Sequence, residues 1–211
     1  MVTKAKMRRI VREIAELDPK FHPVIEKSEL CDLGISNTGE SGNSGRSHFE
    51  SLVSSVISQQ LATAAARTIK QRFVMECGKV TPKNVSKLGE SQMRGVGLSA
   101  AKSKTIQGLA SASLNKEIDF GKLHEQDDHE VYQSLTSLWG IGPWTVDMFM
   151  MFQLGRLDIW PTGDLGVRRG WERIHKLKDE ISPESLAKKG VKFQPHRSVV
   201  AWYCWKALDN S

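Results

Sequence analysis

Cysteine is scarce in this chain. Its 211 residues include three, Cys31, Cys77 and Cys204, too scattered for a disulfide framework or a four-cysteine cluster. That usage suits a reducing interior. The expected location is intracellular: the nucleus in a eukaryote, the cytoplasm or nucleoid in a prokaryote. The six histidines (His22, His48, His124, His129, His175 and His196) lack ligand spacing, which argues against a histidine metal site. No apolar run is long enough to span a bilayer and no hydrophobic leader opens the chain, so no membrane partner is expected. No stretch alternates apolar and polar residues for long, so the expected class is all-α. Acid is in deficit, with 24 Asp and Glu against 30 Lys and Arg. The net charge of +6 admits a polyanionic partner without requiring one.

Helical periodicity is what the chain has instead. Met7, Ile10, Val11, Ile14 and Leu17 share one face of a helix over residues 4–17, which Asp18-Pro19 ends. Phe21 to Leu30 is a short apolar segment, and residues 36–47 (SNTGESGNSGRS) read as a flexible loop and subdomain boundary. Ser47 and Glu50 make a capping box for a helix with the stripe Phe49, Leu52, Val53, Val56 and Ile57. That helix runs into Ser58-Gln59-Gln60-Leu61, and Ala62 to Phe73 is helical again. Thr81-Pro82 and Ser99 open further helices, and Asp128 caps the one entering the central turn. Another helix runs from Pro143 to about Leu154, and the last three follow Asp164, Ser182-Pro183 and His196. Between them Arg156 to Gly163 is extended, because Trp160-Pro161 and Gly163 break a helix.

Two stretches concentrate chemistry. Ser137 to Thr145 (SLWGIGPWT) reads as helix, tight turn, helix, with Gly140 and Gly142 for unusual backbone angles and Pro143 at the first helical position. Its unpaired N–H groups make a ready anion site, for which a nucleic-acid phosphate is the obvious candidate in a basic chain. A plain helical corner has the same pattern. The flanking amphipathic helices, the charge and a second turn at Gly95–Gly97 favour the phosphate. The other stretch, Trp160 to Gly166 (WPTGDLG), brings Asp164 to the start of a helix. A simple N-cap is the commoner use of such an Asp. The same geometry also presents a carboxylate to a cationic transition state or a water. All six tryptophans lie between Trp139 and Trp205, either as core or as π-faces for a cationic ring. Gln59-Gln60 is solvated or, if it faces DNA, fills the gap left by an extruded base.

Together, Leu138 to Thr145 and Pro161-x-x-Asp164 resemble the helix–hairpin–helix, Gly/Pro…Asp superfamily of DNA glycosylases, and within it the 3-methyladenine DNA glycosylase II branch. Four blocks agree in order: Phe49 to Leu61, Met93 to Ala110, Leu138 to Gly170, and Pro195 to Trp205. The resemblance implies a bilobal helical fold with an active cleft between lobes. Residues 1–46 would pack with a C-terminal lobe, 156–211, and residues 47–155 would form the central lobe. It makes Asp164 the catalytic aspartate and places Trp144, Met148 and Trp205 in the substrate pocket. Gln60 is the intercalating plug, with Leu61 as the neighbour that serves if the register shifts by one. Gly140, Gly142, Thr145, Gly95 and Gly97 would contact DNA. The main-chain carbonyls of Thr136, Leu138 and Ile141 match a site for a monovalent cation, Na+ or K+; no other cofactor is implied.

The resemblance also separates two chemistries. Strand-cutting members carry a Schiff-base lysine before the hairpin threonine, where this chain has Trp144, and the four-cysteine iron–sulfur loop of the endonuclease III branch is missing. The implied enzyme is therefore a monomeric, monofunctional hydrolase of the N-glycosidic bond that excises alkylated purines (3-methyladenine, 7-methylguanine) from double-stranded DNA, without lyase activity. Ser58 and Ala62 depart from the Gly and Ser frequent at those positions. The alternative class is a non-catalytic binder of damaged or abasic DNA. A structural or protein-interaction domain is third.

Overall fold

The computed structural model describes residues 2–35 and 45–209. Among the described residues there are twelve α-helices, three short 3-10 segments and no strand. The helices are α1 (Lys4–Leu17), α2 (His22–Lys27), α3 (His48–Ser58), α4 (Thr63–Cys77), α5 (Pro82–Val85), α6 (Glu90–Gly95), α7 (Ala100–Leu114), α8 (Asp128–Thr136), α9 (Pro143–Phe152), α10 (Leu165–His175), α11 (Pro183–Gly190) and α12 (Arg197–Asp209). The chain divides into two compact units, Met1–Asn43 with Met150–Ser211, and Ser44–Phe149.

Side-chain caps set most helix starts. Thr3, Ser47, Thr81, Ser99, Asp164 and Ser182 each accept the N–H three residues on, satisfying donors that the first turn leaves unpaired. The cap of α8 is Asp127, not Asp128. Asp127 takes the Glu130 N–H at 2.8 Å while Glu130 takes the Asp127 N–H at 3.0 Å, a reciprocal pair that Asp128 is one residue too late to make. At α3 Ser47 accepts from Glu50 N–H, and the Glu50 carboxylate lies 4.0 Å from Arg46. The apolar segment after Phe21 is helical, as α2. Most of the loop expected at 36–47 lies outside the described residues.

The Ser44–Phe149 unit is cored by Leu52 and Val56 of α3, Phe73 of α4, Ile106 and Leu109 of α7, and Leu135 of α8, with Phe49 edge-on to Phe120. In the other unit, Met7, Ile10 and Ile14 of α1 are buried, as are Phe21, Trp171, Phe193 and Tyr203. Cys31, Cys77 and Cys204 are free and buried. Burial pushes the Cys31 thiol up to about 12, so it packs as a neutral group.

One polar cluster ties α1 into its unit. Asp18 is buried, and its Oδ2 lies 3.0 Å from His175 Nε2 and accepts from Lys192 Nζ at 3.1 Å. The His175 ring stacks on Trp171 at 4.0 Å. Burial alone would raise the Asp18 carboxyl, but the bonds from His175 and Lys192 outweigh it and hold the group below its ordinary 3.8. A lowered folded value means the contribution is complete above 3.8 and disappears as pH falls through the folded value. Asp18→Asn should therefore cost about 2 kcal/mol near neutrality. Thermal melts in an acid series should show the gap to wild type closing in acid; a gap independent of pH would refute this account.

Candidate active site and nucleic-acid grip

Asp164 is fixed from both sides along the chain. Upstream, residues 156–159 lie against the start of α12. The Ser198 hydroxyl accepts the Ile159 N–H and donates to the Arg156 carbonyl, each at 2.8 Å. Arg197 holds both oxygens of Asp158, at 2.8 and 2.9 Å. Trp160 donates its indole N–H to the Leu186 carbonyl at 3.0 Å, and the chain turns as Asp164 N–H reaches the Pro161 carbonyl at 2.9 Å. Downstream, Asp164 caps α10. Its Oδ1 accepts the Val167 N–H at 2.7 Å and the Trp205 indole N–H at 2.9 Å. The Trp205 ring stacks on Phe152 with centroids 5.7 Å apart. Gly166 makes room for it, since a Cβ there would stand 2.8 Å from Trp205 Cδ1. Asp164 and Trp205 are both half-buried. Beneath them a Cβ at Gly170 would meet the Cys204 carbonyl oxygen at 1.9 Å, so α10 and α12 cross backbone to backbone. Burial and the charge of Asp164 push the Cys204 thiol upward, which removes it as a nucleophile.

The hairpin between α8 and α9 is in the Ser44–Phe149 unit. Gly140 has φ +81°, and a Cβ there would lie 2.1 Å from Thr105 Oγ1 of α7. Gly142 has open space around its missing Cβ. The N–H row is narrower than the sequence implies, because several donors are used inside the turn. Ile141 donates to Leu138 at 3.1 Å, and Thr145 and Val146 both donate to Gly142, at 3.0 and 3.2 Å. Gly140→Ala should cost about 2 kcal/mol or more, through left-handed strain and the clash, whereas Gly142→Ala should stay within about 0.5 kcal/mol. Equal melting midpoints for the two would contradict this reading. Of the second pair, Gly97 requires glycine at φ +101°, whereas Gly95 closes α6 with open space around it.

Residues 53–195, most of the chain, match the family described as HhH-GPD superfamily base excision DNA repair protein. This chain belongs to the HhH-GPD superfamily. The alkylbase DNA glycosidase-like protein mag2 of Schizosaccharomyces pombe is 26% identical over 204 residues, covering 94% of this chain and 92% of that protein. The DNA-3-methyladenine glycosylase of Saccharomyces cerevisiae is 31% identical over 221 residues, covering 97% and 72%. Among solved structures, the Schizosaccharomyces pombe 3-methyladenine DNA glycosylase in complex with abasic DNA aligns at a TM-score of 0.78 and 26% identity, covering 94% of this chain and 95% of that one.

In this HhH-GPD chain the other expected site residues fall on definite elements. Trp144 and Met148, four apart, share a face of α9, with Trp144 47% exposed and Met148 half-buried. Thr145 is buried, and its hydroxyl accepts from Gln59 Nε2 at 3.0 Å rather than facing solvent. Gln60 and Leu61 are exposed, and Gln60 has a left-handed backbone, φ +55°. The remaining tryptophans divide by burial. Trp171 and Trp202 are buried, Trp160 is tied to α11, and Trp139 is 54% exposed beside the Lys104 ammonium, 4.3 Å from its ring. A cavity of about 800 Å³ runs between α3 and α4, lined by Val53, Ile57, Leu61, Arg67, Lys70 and Phe73 among others, and Asp164, Trp144 and Trp205 are not in its wall. The sequence reading grouped Gln59 with Gln60 and did not single out Lys102; both make contacts with residues distant in the chain. No described helix is long and apolar enough to cross a membrane.

Proposed function

We propose that this chain is a monofunctional DNA glycosylase that releases alkylated purines, of the 3-methyladenine and 7-methylguanine type, from double-stranded DNA in base excision repair. The observation that carries the reading is Asp164, an acid at a helix N-terminus held on one oxygen by Val167 and Trp205, in a chain of this superfamily. The relatives, an alkylbase DNA glycosidase-like protein and a DNA-3-methyladenine glycosylase, and the abasic DNA in the Schizosaccharomyces pombe structure support the substrate class.

The chemistry follows from the charge of the lesion. A purine alkylated on a ring nitrogen is cationic, so when the C1′–N bond breaks the base takes both electrons and leaves neutral, without a proton from an acid. The sugar becomes an oxocarbenium-like cation, which the Asp164 carboxylate stabilises. Water then adds to C1′ and gives up a proton to Asp164 or solvent. Extrusion precedes this step and costs least at a damaged pair. Trp205, beside Asp164, offers one face to the flipped cationic ring, and Trp144 and Met148 on α9 are each offered as further faces; Gln60 fills the gap with Leu61 beside it, and the turns at Gly140–Gly142 and Gly95–Gly97 let phosphate approach the backbone. The carbonyls of Thr136, Leu138 and Ile141 suit a monovalent cation. They are neutral oxygen donors, and with two lone pairs the Leu138 oxygen can accept Ile141 N–H and still face an ion, which would add positive charge near a phosphate. The enzyme works as a monomer with no other cofactor.

A base-release assay on duplexes carrying 3-methyladenine, 7-methylguanine or ethenoadenine tests the reading. Release of at least one methylated purine is expected. Tight binding of abasic DNA with no release would favour the non-catalytic binder instead. Because Trp144 has no amine for a Schiff base, borohydride should trap no covalent complex and strands should stay intact until alkali is added; trapping would disprove the monofunctional assignment. Gly142→Ala should weaken duplex binding severalfold despite its expected stability, because its added methyl obstructs a phosphate; unchanged affinity would exclude Gly142 from the grip.

A further inference from the structure

Two glutamines occupy the junction between α3 and α4, and they differ in surroundings. Gln60 is exposed, whereas Gln59 reaches the hairpin: its Nε2 donates to Thr145 Oγ1 at 3.0 Å and lies 3.4 Å from the Gly140 carbonyl oxygen, across 86 and 81 residues of chain. The junction is held a second time from α7. Lys102 Nζ donates to the carbonyls of Ile57 and Gln59, both at 2.8 Å. These are carbonyls at the C-terminal end of α3, which lack helical donors and lie at the negative end of its dipole. Thr105, three residues after Lys102, sits against Gly140 of the hairpin. One edge of α7 thus touches both the junction and the hairpin. The left-handed backbone of Gln60 is the kind of conformation that persists only where its surroundings over-determine it.

We infer that Lys102 and Gln59 are positioning residues that lock the plug junction to the hairpin, so that the phosphate grip and the gap-filling Gln60 act at a fixed spacing during base extrusion. The inference rests on the proposed glycosylase reading and adds to it two residues with no part in the chemistry. Lys102 uses its ammonium inside the protein, and the desolvation that lowers its pKa agrees with that placement. A lysine that gripped phosphate directly would behave differently, because its loss would lower the salt dependence of binding by about one counterion.

The test uses the full chain with Lys102→Met, Lys102→Arg and Gln59→Leu. Three quantities are read: single-turnover release from a 7-methylguanine duplex, fluorescence of a duplex reporting extrusion through 2-aminopurine, and the salt slope of lesion-free duplex binding. Lys102→Met should slow release about tenfold or more, the scale of a lost charged hydrogen bond, and reduce the extrusion signal. Its duplex affinity and salt slope should match wild type, Lys102→Arg should recover most of the rate, and Gln59→Leu should follow Lys102→Met. A salt slope reduced by about one would overturn the proposal and make Lys102 a phosphate contact. Wild-type rates in both variants, or losses that only track the melting midpoint and are not rescued by arginine, would also overturn it. If wild type binds and extrudes but releases neither 7-methylguanine nor 3-methyladenine, the glycosylase reading fails while the extrusion signal still decides the bridge. If wild type binds no duplex at low salt, both fall.

Discussion

Asp164→Asn should remove nearly all release of methylated purines, a loss on the order of 10²–10³-fold or more if the charge does the stabilising, with DNA affinity close to wild type. The substitution is informative because it preserves nearly everything else. Asparagine is as good an N-cap as aspartate, so it can still accept the Val167 N–H and the Trp205 indole N–H through its carbonyl oxygen. What disappears is the negative charge. Melting midpoints should therefore barely move, and single-turnover assays on a 7-methylguanine duplex would register the effect. A variant with half the wild-type rate would mean that Asp164 is only a cap and that the rate enhancement comes from elsewhere.

The largest effect on stability is expected at Gly170→Ala. A methyl there would overlap the Cys204 carbonyl oxygen, 1.9 Å away, and backbone cannot swing aside as a side chain can. Separating α10 from α12 should cost about 3 kcal/mol or more, roughly 6–12 °C in melting midpoint for a chain of this size. Gly163→Ala is the matched control: Gly163 also neighbours Asp164 but has open space around its missing Cβ, so the midpoint should shift little. Similar midpoints for the two variants would show that the α10–α12 crossing tolerates expansion.

Local chemistry was legible in the sequence and distant contacts were not. Ser47, Thr81, Ser99, Asp164 and Ser182 were readable as caps because a cap is a matter of three residues. Asp127 was within reach by the same rule; the x-x-Glu130 spacing selects it over Asp128. The four sequence blocks pointed to the superfamily that residues 53–195 match. The hairpin's appearance misled in one respect. Gly140 and Gly142 look equivalent in sequence, yet only Gly140 has a positive φ and a neighbour where its Cβ would be. The difference lies in Thr105, 35 residues earlier. Gln59 was likewise indistinguishable from Gln60 until Thr145 and Lys102 were seen around it.

Helix α12 carries both the hydroxyl that anchors the approach to Asp164, on Ser198, and the indole that bonds its carboxylate, on Trp205. The two are seven positions apart, close to two helical turns, so they project in nearly the same direction. The helix therefore serves as a ruler. Inserting or deleting one residue between them would rotate Trp205 about 100° relative to Ser198. Codon-sized gaps in this interval should be far less tolerated than substitutions at its outward positions, so reading-frame-preserving indels offer a genetic assay of the site that needs no damaged DNA.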